Sequence, residues 1–111
     1  METAQLSLLR NAMTAYAKRR RALSGNVANI DTPGYDRTSV SFEEELRDAR
    51  DGPLGDDPSE VEAEVVAEDE KPVLENELMA LSDTQMRTQH AARALSHHFD
   101  LMRTGITGRS S

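Results

Sequence analysis

The sequence predicts a mainly α-helical protein. Its long N- and C-terminal helices are expected to pair in a coiled-coil-like arrangement around a short acidic, poorly structured or weakly β insert. At both ends of the chain apolar residues recur in steps of three and four, as a helix needs in order to contact another helix along its length. The chain of 111 residues is only 37% hydrophobic and 4% aromatic, which suits helices that bury one stripe each. We therefore divide it into residues 1–36, 37–72 and 73–111.

The first helix is predicted from about Thr3 to Asn29, with Thr3 or Glu2 at its start. Alanines between the apolar positions favour helix. One seam position falls on Arg20, a charge that would need an acidic partner if it were buried. The apolar and aromatic residues of this first seam are Leu6, Leu9, Met13, Tyr16, Leu23, Val27 and Ile30.

A turn follows the first helix. Pro33 is expected to end the helix, and Thr32-Pro33-Gly34-Tyr35 is typical of a type II turn with glycine at the positive φ. Polar side chains here can satisfy the last helical carbonyls and amides, and Tyr35 can dock its ring on the seam while its hydroxyl stays in water. The predicted turn motif comprises Asn26, Asn29, Asp31, Thr32, Pro33, Gly34 and Tyr35.

The insert is strongly acidic, because residues 43–71 carry a net charge of −10 within a chain of net charge −7. Alternation of Thr38, Val40 and Phe42 with polar residues predicts a short extended segment. Residues 43–50 can form a brief helix, and 51–58 are rich in loop residues. Residues 59–72 are interpreted as a weak strand or as disordered.

The second helix is predicted from Pro72 or Val73 to about Thr107, with Glu75 and Glu77 favourable in its first turn. Gly105 and Gly108 weaken its end. The same steps of three and four residues also pass through Gln85, Thr88, Ala92 and Ile106, of which the first two are polar. The residues expected to carry this second seam are Leu74, Leu78, Leu81, Leu95, Phe99 and Met102.

Several classes of function are disfavoured. The chain has no cysteine, no Gly-x-Ser-x-Gly elbow and no glycine-rich phosphate loop, so we expect neither an enzyme nor a cofactor. His90 and His97 are too far apart for an ordinary pair of metal ligands, so no metal is expected. The basic run Lys18–Arg21 lies in an acidic chain without interleaved aromatics, which favours a solvated or inter-subunit face over nucleic acid. No segment is apolar enough to span a membrane, and no cleavable secretory signal is expected.

The stretch from Leu23 to Tyr35, Leu-Ser-Gly-Asn-Val-Ala-Asn-Ile-Asp-Thr-Pro-Gly-Tyr, resembles the N-terminal signature of bacterial flagellar axial proteins, whose core is Ala-Asn-x-x-Thr-x-Gly-Tyr. With Val40-Ser41-Phe42 after it, the chain is most similar to the proximal rod proteins of the basal body. The run from Glu77 to Gln89 resembles the closing helix of that family. The two matches cover roughly the first 45 and last 40 residues.

This resemblance implies a structural component of the flagellar basal body, in the proximal rod. Such a protein assembles with itself into the tubular drive shaft that transmits torque from the membrane ring to the hook. The implied partners are further copies, other rod proteins, and membrane-ring and export-gate proteins. The implied location is the periplasmic rod, reached without a cleaved signal peptide, with terminal helices that are disordered before assembly. The alternative is a small acidic helical-hairpin adaptor or chaperone, which would leave the turn signature as a coincidence.

Overall fold

The computed structural model describes residues 3–51 and 57–107, which form a body of 62 × 34 × 17 Å. It is mainly helical with a small two-stranded sheet, so the predicted class with long N- and C-terminal helices is confirmed. The expectations for Glu2, for residues 52–56 of the loop and for Gly108 lie outside the described residues. The elements are α1 (Ala4–Ala28), β1 (Thr38–Ser41), α2 (Glu43–Asp51), a 3₁₀ turn (Pro58–Glu60), β2 (Glu64–Ala67) and α3 (Leu74–Thr107).

Helix α1 begins as the sequence predicts, because the Thr3 side chain accepts a hydrogen bond from the Leu6 N–H at 3.1 Å. Its end lies within one residue of the predicted Asn29, but the residue that ends it differs from the expectation. Asn29 follows the last helical residue, and both its backbone N–H and its side-chain Nδ2 donate to the Gly25 carbonyl, at 3.0 and 2.9 Å. An asparagine that satisfies a carbonyl of the last turn therefore ends the helix before Pro33 can affect it.

The predicted type II turn is present. The Tyr35 N–H donates to the Thr32 carbonyl at 3.2 Å, and Gly34 has a φ of +77°. The Thr32 hydroxyl donates to the Asn29 Oδ1 at 3.1 Å, which ties the turn to the helix end. The chain therefore reverses direction and returns β1 along α1.

The insert contains an antiparallel pair of strands, in which Thr38 lies opposite Ala67 and Ser41 lies opposite Glu64. Residues 64–67 thus adopt the strand alternative of the prediction for 59–72. The insert packs on α1 around a small buried core of Ala12, Ala15 and Phe42. The Tyr16 and Phe42 rings meet edge to face at 6.4 Å between centroids, a favoured aromatic geometry.

Helices α1 and α3 lie side by side and run in opposite directions. Asn26 meets Glu77 near one end of the contact, whereas Leu9 and Ala91 line one groove farther along. The residues of α3 that are most buried are Glu77, Thr84 and Ala91, at intervals of seven. A seven-residue interval returns to nearly the same helix face, so this row faces α1.

The predicted seam of α3 is divided between two environments. Leu81, Leu95 and Met102 are half-buried, whereas others remain exposed. The exposed members, which we call the open seam, are Leu74, Leu78 and Phe99, with 44%, 49% and 45% of their surface accessible. Part of the apolar stripe therefore has no partner within the described residues.

Candidate functional site

Asn26, a turn-motif residue in the last helical turn of α1, is fully buried. Its Nδ2 donates to the Thr38 carbonyl and to the Glu77 Oε1, both at 2.8 Å. Its Oδ1 accepts from the Thr38 N–H at 2.9 Å and from the Tyr35 hydroxyl at 3.1 Å. One amide thus joins α1, the turn, β1 and α3, and uses both donors and both acceptor positions.

The Asn26 amide also closes the outer edge of β1. Arg37 exchanges backbone hydrogen bonds with residues near the end of β2, so by alternation the N–H and C=O of Thr38 point away from β2. Asn26 satisfies both groups, as a neighbouring strand would. Two residues farther along, the Arg19 Nη2 donates to the Val40 carbonyl at 3.0 Å. Side chains of α1 therefore replace a third strand on this side of the sheet.

Glu77 and Arg37 form the charged part of the same cluster. The Arg37 Nε donates to the Glu77 Oε2 at 2.8 Å, and its Nη2 donates to Oε1 at 3.2 Å. Glu77 is only 1% exposed. Burial raises the pKa of Glu77, but the hydrogen bonds from Arg37 and Asn26 outweigh it, and the pKa lies below its ordinary value. We call Asn26, Tyr35, Arg37, Thr38 and Glu77 the buried cluster.

The hydrogen bond to Glu77 raises the pKa of Arg37, against the opposing effect of burial. Both partners of the pair are therefore charged at neutral pH. A buried carboxylate is tolerated when its oxygens are paired and hydrogen-bonded, and Glu77 receives donors from both Arg37 and Asn26.

A second polar cluster lies at the surface, midway along the helix pair. Arg19 donates to both carboxylate oxygens of Glu43, at 3.0 and 2.6 Å. Arg87 donates to Glu43 at 3.3 Å and to Asp83 at 2.7 Å. The hydrogen bond from Arg19 is the main reason that the pKa of Glu43 lies below its ordinary value. We call these four residues the exposed cluster; it joins α1, α2 and α3.

The structure places the predicted seam of α1 on its packed side. Leu6 and Leu23 are buried, and the other members are half-buried: Leu9, Met13, Tyr16, Val27 and Ile30. Of the predicted turn motif, Asn26 is buried, Asn29 and Tyr35 are half-buried, and Asp31, Thr32, Pro33 and Gly34 are exposed. The Tyr35 hydroxyl donates a hydrogen bond to the Asn26 Oδ1, a contact that the sequence analysis did not predict.

The basic run on α1 is divided among different surroundings. Arg19 belongs to the exposed cluster, and the Lys18 Nζ lies 3.4 Å from the Ala63 carbonyl. Arg20 is exposed and forms no ion pair within residues 3–51 and 57–107. It lines a groove of about 600 Å³ between α1 and α3, together with Ser24, Leu81, Ser82, Thr84, Gln85, Thr88 and Gln89.

Sequence reasoning missed the roles of Arg37, Glu77, Glu43 and Arg87. Arg37 is a polar residue of an alternating segment, and Glu77 is an acidic residue in the first turn of a helix. Charged side chains at such positions are ordinarily exposed to solvent. Nothing local in the sequence indicates the pairing of Arg37 with Glu77 across forty residues.

No protein-family model matches the chain, and no curated protein matches it either. In the part of the chain that the structure describes, no group of three or more His, Asp or Glu side chains could hold a metal ion. No helix among these residues is long and apolar enough to cross a membrane. What the two clusters can do is hold α1, the insert and α3 in one relative geometry.

Proposed function

We propose that this chain is a structural subunit of the bacterial flagellar basal body, in the proximal rod, similar to the rod protein FlgB. The observation that carries the proposal is the position of the signature segment. Its Asn26 and Tyr35 form the centre of the buried cluster, at the junction of α1, the insert and α3. The signature thus has a mechanical role, since it fixes the two terminal helices against each other. A subunit that transmits torque requires such a junction.

The open seam supports self-assembly. In this proposal the coiled-coil-like pairing of α1 with α3 within one chain continues between chains. Leu74, Leu78 and Phe99 would then become buried against helices of neighbouring subunits. Burial of apolar surface contributes about 25 cal/mol per Å², and a contact that repeats from subunit to subunit generates a helical tube. The partners are further copies, other rod proteins, and the membrane-ring and export-gate proteins.

The distribution of charged residues also favours assembly of the chain with copies of itself. Arg20 is exposed beside the groove between α1 and α3, and residues 43–71 carry a net charge of −10. In an assembly, the Arg20 of one subunit would meet acidic side chains of a neighbour. Such a contact steers the encounter and fixes register more than it adds affinity.

The first experiment is deletion of the gene in a flagellated bacterium that carries it, followed by motility assays and electron microscopy of basal bodies. We expect loss of swimming, with membrane rings present and no rod. Restoration by the intact gene, and co-purification of the tagged protein with basal bodies, complete the test. Normal flagella after deletion, with the protein soluble in the cytoplasm, would contradict the proposal and favour the adaptor alternative.

A matched pair of variants tests the open seam. Leu78→Ser removes an apolar side chain from it, whereas Met79→Ser changes a side chain that is 72% exposed and lies about 100° around the helix. We expect Leu78→Ser to abolish swimming of the deletion strain and Met79→Ser to restore it, with equal thermal stability of the two purified chains. Swimming with both variants would show that the open seam is not an interface.

A further inference from the structure

The two edges of the sheet differ. The edge of β1 is closed by Asn26 and Arg19, as described above. In β2, the register places Val65 opposite Val40 and Ala67 opposite Thr38. These are the pairs that do not exchange backbone hydrogen bonds, so the N–H and C=O groups of Val65 and Ala67 point away from β1. All four residues of β2 are exposed, and 61% of the Val65 surface is accessible.

Carboxylates predominate along the open edge of β2, and the Lys18 Nζ lies beside its start, 3.4 Å from the Ala63 carbonyl. Residues 57–70 contain seven acidic and no basic residues. Because side chains alternate along a strand, Glu62, Glu64 and Glu68 project from the face opposite to that of Val65 and Ala67. Glu62 and Glu64 have no ion-pair partner in the described part of the chain. A second copy of β2 placed on this edge would bring carboxylates near carboxylates, which is destabilising.

We propose that β2 accepts an extended basic segment of a partner protein as a third strand. The partner's main chain would bond to the N–H and C=O of Val65 and Ala67. Its Lys or Arg residues, at every second position, would lie beside Glu62 and Glu64, and the residues between them would be small or apolar. Addition of a strand to an exposed edge draws affinity from main-chain hydrogen bonds and specificity from alternate side chains. This interaction is independent of the rod assignment.

The probe is a fluorescein-labelled peptide, acetyl-Lys-Thr-Lys-Val-Lys-Thr-Lys-amide, followed by fluorescence anisotropy with the full chain. We expect saturable binding that weakens as salt is added. Val65→Pro should weaken it at least tenfold, because it removes an outward N–H and leaves the hydrogen bonds of Val66 and Glu64 to β1 in place. The matched variant Val65→Thr keeps the N–H and should bind like the parent chain. A peptide with Glu in place of Lys should not bind.

Amide hydrogen exchange gives a second readout that does not depend on any variant folding. The peptide should slow exchange at Val65 and Ala67, whose amides face outward, and change exchange little at Val66, whose amide already faces β1. A peptide methylated at alternate backbone nitrogens should lose this protection. Absence of binding, equal binding by Val65→Pro, or unchanged exchange at both residues would overturn the proposal. Dimers that form through β2 without peptide would replace it with self-pairing.

Discussion

The buried cluster and the exposed cluster connect the same parts of the chain, because each joins α1, the insert and α3. They differ in surroundings. Glu77 is 1% exposed and receives hydrogen bonds from two side chains, whereas the Glu43 side chain is 45% accessible between two arginines. In the interior, removal of one side chain leaves the polar groups that it bonded without a hydrogen bond. At the surface, water takes the place of the side chain that is removed. We therefore expect equal numbers of contacts to contribute unequally to stability, and the following variants measure that inequality. The measurements use the single chain with α1 and α3 packed as the structure has them. A parent chain without a cooperative unfolding transition would instead agree with the terminal disorder that the resemblance implies.

The largest expected effect comes from Asn26→Ala. This change leaves the N–H and C=O of Thr38 and the Tyr35 hydroxyl without their partner, and the Glu77 Oε1 keeps only its hydrogen bond from Arg37. Each buried polar group left unsatisfied costs about 1–3 kcal/mol, and entering water offsets part of the total. We expect the free energy of unfolding to fall by about 3 kcal/mol, measured by urea denaturation followed by circular dichroism.

The matched control for that variant is Asn29→Ala. Asn29 lies three residues later, is half-buried, and its side chain donates to the Gly25 carbonyl at the helix end. Loss of a partly exposed hydrogen bond of this kind costs about 1 kcal/mol. If Asn29→Ala destabilises the chain as much as Asn26→Ala, burial does not set the difference between the two sites.

The contrast between these asparagines also shows where sequence reasoning ends. The helix start at Thr3, the type II turn and the two long helices follow from local rules of capping and turn chemistry, and all are present. Both asparagines belong to the predicted turn motif, yet only Asn26 is a core residue. Its partners Thr38 and Glu77 are 12 and 51 residues away in sequence, and propensity gives no information on contacts at that separation.

The second prediction concerns the stability of the fold at low pH. Because the pKa of Glu77 is lower in the folded chain than its ordinary value, its ionisation stabilises the fold above about pH 4.3, the value expected in the unfolded chain. That stabilisation is lost as pH falls through the folded pKa. Glu77→Gln should therefore reduce stability by about 1–3 kcal/mol at pH 7, with a difference that shrinks in acid. A constant difference between pH 7 and pH 3 would contradict a charged Glu77.

The packed face of α3 was the least predictable part of the fold. Periodicity selects a stripe of large apolar residues, and Leu81 and Leu95 of that stripe are half-buried. The most buried row instead contains Glu77, Thr84 and Ala91. Small or paired polar residues can occupy a close helix contact when the partner satisfies them. The hydrophobic pattern cannot reveal such a row, because the residues that complete it lie on other elements.

The third prediction separates backbone strain from side-chain contacts. Gly34→Val places a β-branched residue at a φ of +77° and should cost about 1–2 kcal/mol, with reduced swimming if the turn orients the terminal helices. Gly25→Ala is the control, since a Cβ there would lie 3.8 Å from the Tyr35 hydroxyl, an ordinary contact. It should stabilise the helix by up to about 1 kcal/mol. Thermal melts that rank the two variants in the opposite order would refute this explanation of the turn.

The smallest effect is expected in the exposed cluster. Glu43→Gln removes the charge that bridges Arg19 and Arg87, but salt bridges between accessible side chains contribute about 0.2–1 kcal/mol. Glu44→Gln is a matched control, because that neighbouring side chain is 69% accessible and, among the residues that the structure describes, forms an ion pair only with Arg47, at 3.9 Å. Urea denaturation at low salt should place Glu43→Gln below Glu44→Gln in stability, and the gap should narrow in about 1 M NaCl as screening increases. A gap as large as that of Glu77→Gln would mean that the arginines, and not burial, determine what a carboxylate contributes in this fold.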